Sequence, residues 1–139
     1  MKVKFTIPGE PKGKARPRVT KTGHAFTPKD TVMYENLVRL EYQRQCGDFC
    51  FADNTPIDMR ITAYLEIPKS VSEKKRRAML EHRIRPMKKP DSSNITKIVE
   101  DALNKIAYHD DSQIVDSQCR RFYSDTPRVT VTIEEAKTF

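Results

Sequence analysis

Strict alternation of apolar and polar positions marks several stretches of the chain as half-buried strands. Val3, Phe5 and Ile7 alternate in VKFTI, and Ile57, Met59, Ile61, Ala63 and Leu65 alternate in PIDMRITAYLEIP. Val129, Val131 and Ile133 repeat the pattern in RVTVTIEE, and SQIVDSQCRRFY reads as a further strand. Two segments change to a helical period. In TPKDTVMYENLVRLEYQRQC, Met33, Leu37 and Leu40 with Tyr34 and Val38 are expected to form the buried stripe. Thr27 is the expected cap there, Pro28 suits the first helical position, and Asp30 favours the first turn. Between 94 and 105 the stripe is stronger: Ile95, Ile98, Val99, Ala102, Leu103 and Ile106. SVSEKKRRAMLEHRIRPMKKP predicts a short basic helix or ordered arm ending near Pro86. PGEPKGKARPRVTKTGHAF predicts a long basic loop with a hairpin about Gly23. The order β-α-β-(α)-α-β-β gives an α/β (α+β) domain: a small mixed β-sheet with helices packed on it, one domain over residues 1–139.

Charge narrows the class of partner. Lys and Arg number 26 against 19 Asp and Glu, a net charge of +7, and the excess is concentrated in two blocks. Residues 1–29 hold eight basic side chains against Glu10; residues 69–89 hold nine against Glu73 and Glu81. Both lead toward Asp91, a pattern that points to a phosphate backbone. No apolar run is long enough to span a bilayer, and no membrane partner or secretory leader is expected. Cys46, Cys50 and Cys119 are an odd set that fits reduced thiols in the cytoplasm. A lone C-x3-C lacks the second ligand pair of a zinc site.

The 94–105 helix carries chemistry on its polar side. Asn94, Lys97 and Asp101 lie at i, i+3 and i+7, Asp91 precedes the helix near its amide-rich end, and Asp110 and Asp111 follow it. Carboxylates are the ligands hard Mg²⁺ prefers, and a neighbouring lysine can offset phosphoryl charge. Equally, Asp91 and Ser93 can be helix caps and Asp110–Asp111 a turn. A helix of about 12 residues rises roughly 18 Å, so Asp91 and Asp111 meet only if a strand folds back across it.

KPDSSNITKIVEDALNKIAYHDDSQI resembles the signature of RusA-type Holliday-junction endonucleases, which runs Pro-Asp-x-Asp-Asn-x-x-Lys, then Asp-Ala-Leu, then Asp-Asp-x-Gln. IPGEPKGKARPR is similar to that family's amino-terminal strand and basic loop, and IPKSVSEKKRRAML to the basic stretch of its prophage members. The resemblance implies a RusA-like dimeric fold and paired, symmetric nicking of four-way DNA junctions with Mg²⁺, or Mn²⁺, in recombination and repair. It implies a homodimer, a nucleoid-associated setting and no small-molecule cofactor. Asp91, Lys97 and Asp111 take the catalytic positions, with Asp91 and Asp111 as metal ligands and Asp110 and Ser93 as further candidates. Asn94, Asp101 and Gln113 take supporting positions. Lys12, Lys14, Arg16, Arg18, Lys74, Lys75, Arg76, Arg77, Lys88 and Lys89 are the expected DNA contacts. Ser93 departs from the pattern, which has a metal-binding aspartate there. Either Asp110 substitutes, or the protein binds junctions and cuts weakly, or the change was introduced to disable cleavage. In place of binding metal, Ser93 is expected to cap the helix through the amide of Thr96.

Overall fold

A computed structural model describes residues 1–139 apart from Pro17 and the side chain of Arg18, so the DNA contact expected of Arg18 lies outside the described residues. Four strands form one mixed sheet in the order β1-β6-β4-β5: β1 Lys2–Pro8, β4 Ile57–Glu66, β5 Ile114–Ser124 and β6 Arg128–Glu135. β6 is antiparallel to both β1 and β4, whereas β4 and β5 run parallel, as a crossover through helices requires. The expected hairpin is present as β2 (Arg18–Val19) paired with β3 (Ala25–Phe26), with Gly23 at φ +86° in its turn.

The odd positions of β4, Ile57 to Leu65, are buried with Phe5, Ile7, Val129, Val131 and Ile133. Helices α1 (Lys29–Cys46) and α3 (Ser92–Leu103) cover this face. α3 seats Ile95, Ile98, Val99, Ala102 and Leu103 in it, as its period predicts. α1 follows its expected stripe only in part: Tyr34 and Val38 are buried and Leu37 packs against the core. Its buried face is Thr31, Tyr34, Val38, Glu41 and Tyr42, while Met33 and Leu40 are exposed. Glu41 tolerates burial because Arg44 and Gln45 donate to its Oε1 at 2.6–2.9 Å. The helix begins at Lys29 with Pro28 as an N-cap that forms no side-chain cap bond, so Thr27 is not the cap. α2 (Glu73–Leu80), capped by Ser72, displays Lys74, Lys75 and Arg77 to solvent, with Arg76 half-buried. His82, two residues beyond it, takes the left-handed conformation in which helices commonly end. The even positions of β4 face away from α1 and α3. No helix among the described residues is long and apolar enough to cross a membrane.

Candidate active site

α3 sets the geometry. Asp91 is its N-cap: Oδ1 accepts from the Asn94 amide at 2.9 Å and from the Ser93 hydroxyl at 3.1 Å. Those two bonds, with Arg121 and Lys89 nearby, hold the Asp91 carboxyl below its ordinary pKa, so it is ionised at neutral pH. Ser93 therefore does not cap the helix through Thr96; it lies within the first turn and donates to the cap itself. Lys97 reaches Asp101 one turn on, at 3.4 Å.

The basic loop is fastened onto this helix. Lys14 N donates to Asn94 O at 3.0 Å, and Gly13 lies so close that a Cβ would stand 2.9 Å from Pro90 Cβ and 3.0 Å from Asn94 Cβ. Lys14 Nζ contacts Glu35 Oε2 at 2.9 Å and Asp101 Oδ2 at 3.2 Å. Lys14 is thus tied to two carboxylates. It joins loop, α1 and α3. Burial alone lowers its pKa, but the bonds to Glu35 and Asp101 outweigh that and raise it. Lys12, Arg16, Lys88 and Lys89 remain exposed. Lys12, Lys88 and Lys89 line a groove of about 440 Å³ that includes Pro90 and Asn94. Arg16 and Lys97 line a second, beside Ser93 and Asp101.

Asp110 and Asp111 lie at the far end of α3. Asp110 caps a single 3₁₀ turn, Asp111–Gln113, accepting from Ser112 N at 3.0 Å. Gln113 closes the capping box and donates to Ala52 O and Thr55 O, so its role is to brace the turn. The Asp111 carboxylate has no hydrogen-bond partner among the described residues. The direction of β5 explains the separation. Arg121, late in β5, donates to Lys88 O and Pro90 O beside the start of α3. Thr96 meets Cys119, and Glu100 meets Ser117. β5 therefore runs antiparallel to α3 and begins beside its end. Asp91 caps the start of α3, whereas Asp111 lies near Glu100, nine residues further along, a rise of roughly 13 Å. No group of three or more His, Cys, Asp or Glu suited to a metal exists among the described residues.

Sequence reasoning missed Glu100. Half-buried near Asp111 and Asp101, its carboxyl is pushed up by burial first and by those two charges next. Its place between Lys97 and Asp101 gave no signal; only the return of β5 brings Asp111 to it.

A family model, Endodeoxyribonuclease RusA, matches residues 8–134, which take in the basic loop, all of α3 and the Asp110–Asp111 turn. The Bacillus subtilis (strain 168) protein described as Uncharacterized protein YqaN is 37% identical over 138 residues, 96% of each chain. The match spans nearly the whole chain and every element that builds the site, and the chain belongs to the RusA family of Holliday-junction endodeoxyribonucleases.

Proposed function

We propose that the protein is a divalent-metal-dependent, structure-selective endonuclease that cuts four-way junctions by paired symmetric nicks, as a homodimer whose two active sites each draw on both chains. The observation that carries this reading is Asp91 held as the N-cap of α3 by Asn94 and Ser93, with Lys97 on the exposed side of the same helix, in a chain of the RusA family. Asp91 is exposed and Asp111 half-buried, and both are carboxylates of the type a hard cation takes. With Asp91 at the start of α3 and Asp111 following the helix, this reading has each cation take Asp91 from one chain and Asp111 from the partner subunit. A two-fold axis then produces two equal sites, matching the two cuts a junction requires.

Mg²⁺ or Mn²⁺ held by these carboxylates would polarise the scissile phosphate and lower the pKa of the attacking water. The remaining work falls to the chain. Asn94 N and Ser93 Oγ fix the orientation of the exposed Asp91 carboxylate through Oδ1. Lys97, oriented by Asp101, offsets the charge that gathers on the phosphoryl oxygens. Lys12, Arg16, Lys74, Lys75, Arg76, Arg77, Lys88 and Lys89 hold the arms by their phosphates, which selects shape rather than sequence.

A second reading has a specific observation behind it. The Ser93 hydroxyl donates to Asp91, where the family pattern places another acceptor. That removes one carboxylate and draws charge from the next, which favours a junction-binding protein that cuts weakly. A synthetic four-way junction with Mg²⁺ or Mn²⁺, set against linear duplex, decides between them. Paired nicks by the wild type support the enzyme; nicks only with Ser93→Asp support the binder on a nuclease scaffold. Paired nicks from neither protein remove the nuclease account.

A further inference from the structure

The sheet has a second face, and its charge is ordered in rows. Lys2, Glu134, Asp58 and Asp116 are register partners at one end. Pro8, Arg128, Tyr64 and Phe122 are register partners near the other. Tyr64 and Phe122 stack with centroids 6.1 Å apart. The Arg128 guanidinium lies 3.9 Å from the centre of the Tyr64 ring, and that of Arg85 lies 4.1 Å from the centre of the Phe122 ring. Each guanidinium is steadied at one edge: Arg128 Nη1 donates to Thr126 O at 2.8 Å, and Arg85 Nε to Arg121 O at 2.8 Å. Arg128 Nη1 also donates to Ser124 Oγ at 3.3 Å, which leaves Nε and Nη2 of Arg128 and both Nη groups of Arg85 without a hydrogen bond among the described residues. Arg120, exposed and two residues before Phe122 on the same face of β5, adds a third cation.

We propose that this row of arginines on the open face of the sheet is a second DNA contact, gripping the phosphodiester backbone of a junction arm. The inference rests on the nuclease reading and extends it. A guanidinium laid flat on an aromatic ring loses little freedom on binding and presents its N–H edge to phosphate oxygens. Because both rings are already covered, the surface offers backbone contacts and not base stacking. The row is also continuous with the site. Arg121, which accepts from Arg85 through its carbonyl, donates to Lys88 O and to Pro90 O beside Asp91. A strand leaving Asp91 past Lys88 arrives at Arg85 and Phe122.

The test is metal-free binding of a labelled four-way junction across a range of salt, with Arg85→Gln/Arg128→Gln and Arg120→Gln. Each lost phosphate contact lowers the slope of log affinity against log salt by about one. The double variant should lose about two units of slope and on the order of tenfold in affinity near 0.15 M salt. Arg120→Gln should lose about one unit; Arg120 covers no ring, so its loss does not depend on the packing of the stack. Single-turnover cleavage at saturating protein should stay within about twofold of wild type for all variants, because the chemistry is elsewhere. Unchanged slopes overturn the proposal while leaving the nuclease reading intact. A shift in the monomer–dimer balance with unchanged slopes assigns the face to a second copy and also overturns it. A wild type that binds no junction defeats both readings.

Discussion

Replacing Lys14 by methionine tests how the basic loop is fixed. The substitution keeps the aliphatic stem but leaves Glu35 and Asp101, whose side chains are 12% and 22% exposed, without their shared cation. Breaking a fully buried pair costs about 3–5 kcal/mol, while an exposed pair is worth below about 1. These partly buried groups fall between, and Asp101 retains Lys97, so a loss of about 2 kcal/mol is expected. At about 2.1 cal/mol/K per residue of unfolding entropy, a chain of 139 residues should lose about 7 °C in Tm. Glu35→Gln removes the charge left behind, so the double variant should be more stable than the sum of the singles by about 1 kcal/mol. The pH dependence has a definite sign. The folded-state pKa of Lys14 is raised above 10.5, so its contribution is complete below that value and fades as pH rises through the folded pKa. The gap between wild type and Lys14→Met should be flat near neutrality and close in strong alkali. Thermal melts across pH, with the double-mutant cycle, supply all three readings. A Tm within about 1 °C of wild type, or zero coupling to Glu35, refutes the argument. DNA binding gives a separate check: Lys12→Met should lower the salt slope by about one, and Lys14→Met should leave it unchanged.

Gly13→Ala should cost about 1–3 kcal/mol and reduce junction cleavage, because the new methyl meets Cβ atoms of Pro90 and Asn94 that no rotamer change can move; melting and single-turnover assays measure both. Glu100→Gln should be more stable than wild type at pH 7–8. The raised carboxyl pKa means the charged form costs stability above it, so the advantage should vanish as pH falls through the folded value. With Glu100 only partly buried, the gain should stay below about 1 kcal/mol, read by melts from pH 4 to 8. Chelation by EDTA should abolish cutting and leave junction binding by gel mobility intact, since Lys and Arg, not the cation, supply the backbone contacts.

The elements that bury large apolar side chains were legible from the chain alone. Ile57 to Leu65 alternate because one face of β4 is packed, and Ile95 to Leu103 recur at helical spacing because α3 lies on it. α1 was misread because Met33 and Leu40 carry the hydrophobicity while Thr31 and Glu41 take the buried places, a choice made by partners such as Arg44 and Gln45. The site residues of α3 were readable because they are close in sequence. What depended on strand pairing was not: the Lys14–Glu35–Asp101 cluster, the Tyr64–Phe122 stack and its arginines, and the distance between Asp91 and Asp111. A motif records which side chains a site uses, and the parallel pairing of β5 with β4 determines where in the chain they stand.

Asp91→Asn and Asp111→Asn, each inactive as a homodimer, provide the most direct test when co-expressed with two affinity tags and purified as the mixed dimer. If each site draws Asp91 from one chain and Asp111 from the other, the mixed dimer keeps one intact site and makes single nicks in a four-way junction. If both aspartates act within one chain, both sites are broken and the mixed dimer makes none. Single nicks are the predicted result; an uncut junction contradicts the shared site.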